Sequence, residues 1–173
     1  VYDVEVLASG TAGIMSNGAI SVEEIPIPKP KKGHILISSS RSLISKGTEK
    51  MLLDFGKSSY ISKALKQPEK VNMVIDKIKA DGISSAFEAV SSKLSKPLPL
   101  GYCNAGRVIE SSESHFKVGD RVVSNGNHAE VVRIPKNLCA KIPDSVDDDS
   151  ASFTVLGAIS LQGVRLVNPS IGE

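Results

Sequence analysis

Beyond Leu100, apolar runs are cut by turn-forming residues at intervals of roughly 8–12 residues, which leaves room for short strands and for little helix. The runs are Ala105–Ile109, Arg121–Ser124, Ala129–Ile134 and Cys139–Ile142. Gly119-Asp120, Asn125-Gly126-Asn127 and Pro135-Lys136-Asn137 separate them. Such a pattern restricts this part of the chain to a barrel or a sandwich.

The first third carries the same signal. Val4–Leu7 and Ile20–Val22 alternate loosely, and Asn17-Gly18 between them predicts a hairpin, because both residues tolerate positive φ. Residues 25–33 form a proline-punctuated connector, extended before each proline. Ile35-Leu36-Ile37 then predicts a strand that runs towards Leu43-Ile44 and enters a loop at Ser45-Lys46-Gly47-Thr48-Glu49.

From 51 to 98 the period changes. Val71, Val74, Ile75 and Ile78 fall at i, i+3, i+4 and i+7, the stripe of a helix with Pro68 in its first turn. Asp81-Gly82 breaks it, and Ile83, Phe87, Val90 and Leu94 repeat the stripe before Pro97. Residues 51–98 are therefore expected to form a helical insertion in a β protein. A final helix is expected over Ala151–Leu166, buried through Phe153, Leu156 and Leu161. Asp147-Asp148-Asp149 at its start suits the positive end of the helix dipole and lacks calcium-loop spacing.

Composition excludes several functions. Forty per cent of the 173 residues are hydrophobic and 23% charged, an ordinary globular balance for one domain. A net charge of +2 with scattered lysines gives no footprint for nucleic acid. With no Trp, four Phe and three Tyr, the core is expected to be aliphatic, and base stacking has little to use. No run is long enough for a membrane span, and the acidic N-terminus does not fit a secretory signal. The two cysteines, Cys103 and Cys139, fit a reduced cytoplasmic chain and cannot form a Cys₄ zinc lobe. Because it begins at Val1, the chain is expected to be a piece of a longer one.

Four stretches, in order, resemble the N-terminal GroES-like catalytic domain of medium-chain dehydrogenases/reductases. Ile44-Ser45-Lys46-Gly47-Thr48-Glu49 is similar to the family's Ile-Cys-Gly-Thr-Asp loop, and residues 100–108 to its Gly-His-Glu-x-Ala-Gly-x-Val. Val118-Gly119-Asp120-Arg121-Val122 matches a family turn in full. His128-Ala129-Glu130-Val131-Val132 with Ile142-Pro143-Asp144 resembles Ala-Glu-Tyr-Val and Ile-Pro-Asp. The resemblance implies a mainly β fold with α, a partly open GroES-like β-barrel spanning 1–173 with a C-terminal bridging helix. The insertion also resembles bacterial two-module proteins in which this half precedes a Gfo/Idh/MocA-type half. In those, the implied work is on a sugar of surface-polysaccharide pathways.

A dinucleotide needs a Gly-x-Gly-x-x-Gly turn between a strand and a helix. The run from Gly10 to Gly13 lacks the second glycine. The nucleotide-binding Rossmann domain is thus expected to be missing from the chain but part of the same polypeptide. NAD or NADP would be the cofactor of the whole enzyme, with none bound by this piece. The expected substrate is a small alcohol, carbonyl compound or sugar. Neither nucleic acid nor membrane is an expected partner, and a homodimer is left open. The rival reading is a non-enzymatic GroES-like interaction or oligomerisation module.

Each candidate residue has an ordinary reading beside the functional one. By resemblance Thr48 passes a proton from the substrate; a Thr after Gly also caps backbone. Tyr102 stands where the family has a zinc-ligating His, and its phenol would either stabilise an alkoxide or fill space as a half-buried aromatic. His128 is the acid/base candidate by chemistry, or a structural histidine at a turn. Asn125 would bind a substrate hydroxyl or hold a left-handed turn with Gly126, and Asn104 is a second candidate for substrate binding. Cys103 reads as a structural thiol. No zinc is expected, because Lys46, Tyr102 and the Leu156-Gly157-Ala158 run stand at the family's ligand positions. Lys46 joins the catalytic candidates as a cation in that corner.

Overall fold

The computed structural model describes residues 9–16, 19–57 and 97–170. The expected strand Val4–Leu7, the Asn17-Gly18 turn and both helical stripes of the insertion lie outside these residues. In chain order the elements begin with β1 (Ser9–Ser16), β2 (Ala19–Pro26), β3 (His34–Ser42), α1 (Lys46–Lys57) and β4 (Leu98–Pro99). They continue with β5 (Asn104–Ser111), β6 (Arg121–Ser124), β7 (Val131–Pro135), a 3₁₀ turn (Lys136–Leu138), β8 (Cys139–Lys141), α2 (Asp148–Ala151) and α3 (Thr154–Val167). The chain divides into two compact units. Of the described residues, 9–13, 22–44 and 99–170 belong to the first, and 14–16, 19–21, 45–57 and 97–98 to the second.

The first unit is organised by a five-stranded sheet in the order β7-β3-β5-β6-β8, with every neighbouring pair antiparallel. β3 lies between β5 and β7, pairing Ile37 with Val108 on one side and with Val132 on the other. Ile35, Ile37, Val108, Phe116, Val122, Val132 and Ile134 form the larger core cluster. Ala105 and Val123 pack with Ile142 and with Ala151 of α2 in a second cluster. Adjacent residues of β6 thus serve different clusters, Val122 the first and Val123 the second, as the period-two alternation of a strand requires. Gly106 lets β3 and β5 approach: a Cβ there would stand 2.2 Å from the Ser38 carbonyl oxygen. The strands β2, β1 and β4 form a three-stranded sheet, and an isolated bridge joins Ala12 to Ala129.

The turn into β6 explains the Val-Gly-Asp-Arg-Val motif physically. Gly119 has φ +92°, a conformation that L side chains rarely adopt, and its N–H donates to the Val108 carbonyl at 2.8 Å. The Asp120 carboxylate accepts the Lys117 N–H at 2.8 Å and pairs with Lys141 at 2.7 Å. The Lys141 ammonium, followed by the Lys117 amide, holds this carboxyl below its ordinary range. Arg121 reaches forward, donating from Nε and Nη2 to Asp148 and from Nη2 to the Val146 carbonyl. Ser40 of β3 donates to the other Asp148 oxygen, and Asp147 caps α2 by accepting the Ser150 N–H at 2.7 Å. Asp148 therefore fastens residues 146–150 to the sheet, and Asp147 caps a one-turn helix.

The described strands make two sheets, neither of which closes on itself, and with the helices they give the mainly β fold that was expected. Two expectations are corrected. Residues 45–49 do not form a loop: α1 starts at Lys46, because the Glu49 carboxylate turns back to accept the Ser45 N–H at 2.9 Å and stabilises the first turn. The expected buried helix is interrupted after Ala151 and then exposed, with Phe153 at 57% and Leu161 at 49%, and no residue of α3 is buried. Val155 and Leu156 in its first turn are partly buried, whereas the apolar side chains from Ile159 onward are exposed. Asn168, at φ 49°, closes α3 with its N–H on the Val164 carbonyl. No helix among the described residues is long and apolar enough to cross a membrane.

Candidate functional site

His128 is a partly buried candidate whose backbone and ring are both held. It sits just after β6, and its backbone is pinned on both sides: its N–H donates to the Leu100 carbonyl at 2.7 Å and its carbonyl accepts from Gly13 at 2.7 Å. The imidazole lies against Gly101, which has φ +91°. A Cβ on that glycine would come within 2.6–2.7 Å of Nδ1, Cε1 and Cγ of the ring. Nδ1 is 2.9 Å from the Ser42 hydroxyl at the end of β3. Ser42 is the partner that sequence reasoning missed, since 86 residues separate the two in the chain.

Tyr102 follows Gly101, so the residue that seats the imidazole also carries the phenol. Tyr102 is half-buried, and its hydroxyl has no hydrogen-bond partner among the described residues. The phenol oxygen is not a buried unpaired atom, so it is open to solvent and accessible to a ligand oxygen. Cys103, next in the chain, is fully buried, as a structural thiol would be.

The two asparagines differ. Asn104 is 1% exposed, donates from Nδ2 to the Ser39 hydroxyl at 2.7 Å and receives a long hydrogen bond of 3.5 Å from Ser124. Ser39 in turn donates to the Ala129 carbonyl, and Ser124 accepts the Gly126 N–H at 3.2 Å. This buried polar chain carries the sheet's order into the segment that holds His128. Asn125 is exposed, and neither it nor Gly126 has positive φ, so the expected left-handed turn is not formed. Gly126 is needed for space: a Cβ would lie 2.9 Å from a Val132 methyl. Lys46 and Thr48 belong to the second unit, exposed in the first turn of α1, where Glu49 is buried.

Among the described residues no three His, Cys, Asp or Glu side chains converge as a metal site would need. The dinucleotide does not fit the described residues either. The five-stranded sheet is antiparallel throughout, whereas the pyrophosphate needs a parallel strand feeding a helix N-terminus. A groove of about 470 Å³ lies at the other end of the sheet, between Lys31, Lys32 and His34 and the Glu110–Glu113 turn. None of the expected site residues lines it.

No family model matches the chain, and no curated protein sequence is detectably similar. Solved structures are. A quinone oxidoreductase from Coxiella burnetii superposes with a TM-score of 0.66 at 17% identity, over 96% of this chain and 47% of its own. An Escherichia coli alcohol dehydrogenase complexed with NADH gives 0.66 at 14%, over 94% and 47%. A mycobacterial protein complexed with NADPH gives 0.56 at 22%, over 94% and 42%. The fold is one found in oxidoreductases. The chain spans slightly under half the length of each of these three structures.

Proposed function

We propose that this chain is the substrate-binding half of a zinc-independent, NAD(P)-dependent oxidoreductase of the medium-chain dehydrogenase type. The observation that carries the reading is the imidazole of His128, seated against Gly101 and 2.9 Å from the Ser42 hydroxyl, on a fold that oxidoreductases share over nearly all of this chain. In this reading the substrate is a small alcohol or carbonyl compound, with a sugar of surface-polysaccharide metabolism as the narrower class. The nicotinamide supplies or removes the hydride and is held by a separate nucleotide-binding domain of the same polypeptide. The uncovered apolar side of α3 supports that arrangement, since Ile159, Val164, Leu166 and Val167 are each more than half exposed.

What this chain contributes is position and proton traffic. Oxidation of an alcohol needs a base for the hydroxyl proton, and reduction of a carbonyl needs an acid for the oxygen. An imidazole serves both directions near neutrality. The Tyr102 phenol donates a hydrogen bond to the oxygen on which charge develops. The reading is placed on the first unit alone. Cytoplasmic residence belongs to the same proposal.

The test has two parts. In the polypeptide that contains this chain, NAD(P)H-linked turnover of alcohols and sugars should fall roughly 10²–10⁴-fold in His128→Asn. Calorimetry on the 173-residue chain should show no heat with NAD(P)H. Undiminished turnover in His128→Asn, micromolar dinucleotide binding by the chain, or one equivalent of zinc whose removal abolishes activity would each overturn a part of the reading.

A further inference from the structure

We propose that the groove beside the Glu110–Glu113 turn binds an ω-amino acid, a zwitterion whose ammonium and carboxylate are separated by an apolar chain. The groove lies within the first unit, and no residue of the functional reading above lines it, so the two stand or fall separately.

Strand register builds the site. Ile35 and Ile37 face the larger core cluster, so Leu36 between them faces the other side of the sheet, where it is still only 5% exposed. Leu36 pairs with Arg133 of β7 on one side and with Glu110 of β5 on the other. Arg133 reaches this face by simple alternation, since its neighbours Val132 and Ile134 belong to the cluster. Glu110 reaches it through an irregularity. Two residues on from the buried Val108, strict alternation would send it into the core. The register shifts between Leu36 and Ile37, however, and Ile109 is the extra residue on β5. The bulge thus places a carboxylate and a guanidinium on either side of one apolar residue.

Neither charge is spent among the described residues. Glu110 has no ion pair or hydrogen bond there, and Arg133 gives only Nη1, to the Lys29 carbonyl at 2.8 Å. Its Nε and Nη2 remain for a carboxylate, which a guanidinium fork takes in two parallel hydrogen bonds. Lys31 and Lys32 add positive charge, and Ser111 and Ser112 add hydroxyls beside Glu110. Glu113 is already paired with Lys136 at 2.6 Å, so Glu110 is the carboxylate open to an ammonium. The basic rim is held in place, because the His34 N–H donates to the Lys31 carbonyl at 3.0 Å. Walls of opposite charge select a molecule with two charged ends, and Leu36 receives the methylenes between them. A volume of about 470 Å³ is ample for such a chain.

Titration of the 173-residue chain with 6-aminohexanoate, followed in ¹H–¹⁵N correlation spectra, tests the proposal. Amide shifts should move at 31–36, 110–113 and 133, with a Kd on the order of millimolar because both charges are exposed. Hexanoate and hexylamine each keep one charged end and should bind about fivefold more weakly, the factor that one exposed ion pair sets. Glu110→Gln should bring 6-aminohexanoate down to the affinity of hexanoate without weakening hexanoate. Arg133→Gln should bring it down to that of hexylamine without weakening hexylamine. Amide shifts matching wild type away from the groove would show that each variant keeps the fold. Shifts that stay unmoved well above millimolar, or that centre elsewhere, would overturn the proposal. So would hexanoate binding as tightly as 6-aminohexanoate, or a Glu110→Gln chain that still prefers the zwitterion.

Discussion

Replacing Gly101 with alanine separates two costs that the structure places on one residue. The first is conformational: φ is +91°, and a Cβ there costs on the order of 1–2 kcal/mol. The second is contact, because the new carbon would fall 2.6 Å from Nδ1 of His128, far inside van der Waals distance. The ring has to swing away and give up its Ser42 hydrogen bond, worth about 0.5–1.5 kcal/mol. The expected total is about 2–3 kcal/mol. Gly119→Ala supplies the control, since it carries φ +92° with nothing within 4 Å of the added carbon. It should show the first cost alone. Urea unfolding followed by far-UV ellipticity measures both variants, and midpoints are comparable if the slopes agree. In Gly101→Ala/His128→Ala the contact is gone, and the loss beyond that of His128→Ala should match Gly119→Ala. If Gly101→Ala and Gly119→Ala lose equal stability, or if the double variant keeps the excess, the imidazole does not rest on Gly101 and the reasoning fails.

Further consequences are open to measurement. Arg121→Ala removes both guanidinium hydrogen bonds from Asp148 and is expected to cost about 1–3 kcal/mol, read from the unfolding midpoint. The Ser40 hydroxyl, followed by Arg121, holds the Asp148 carboxyl below its ordinary range. Its contribution is therefore present above about pH 3.9, the unfolded value, and is lost as pH falls through the lower folded value. Asp148→Asn should flatten that part of the acid unfolding curve, and an unchanged curve would count against the clasp. Gly106→Ala forces a carbon into the Ser38 carbonyl between two paired strands and should lower stability by about 3 kcal/mol; a soluble variant with an unmoved midpoint would contradict the register. Burial pushes the Cys139 thiol up to about 11, and Cys103 is fully buried. Neither should react quickly with a disulfide reagent at pH 8, whereas both should in denaturant.

Much of the fold was legible because its signals are local. Arg121–Ser124 appears as a strand with its expected limits, and the other predicted runs past Leu100 fall within two residues of β5, β7 and β8. Gly119 and Asp120 mark a turn wherever they occur, so no partner had to be known. The misses share a physical cause. Whether Phe153 and Leu161 are covered depends on what packs against α3, and helical spacing reports only that the residues are apolar. The start of α1 depends on the Glu49 carboxylate turning back to the Ser45 N–H, a contact that alternation cannot see. At the site, Tyr102 and His128 were visible as residue types, but Ser42 was one serine among several in Ser38–Ser42. Asn104 is buried and bonded to Ser39 and Ser124, long-range contacts that spacing cannot report.

The division of labour within β6 has a consequence for how this chain acquires its structure. Val122 and Val123 feed different clusters, so shifting the strand by one residue against β5 would send each valine to the wrong side. Both hydrophobic layers would fail together, and neither could settle first around a mistaken alignment. A strand of four residues thus acts as an error check during folding, with correct and incorrect alignments separated by the burial of two branched side chains. Exchange protection at the β5–β6 amides should therefore be lost in the same opening event that exposes Ile142 on one face and Phe116 on the other.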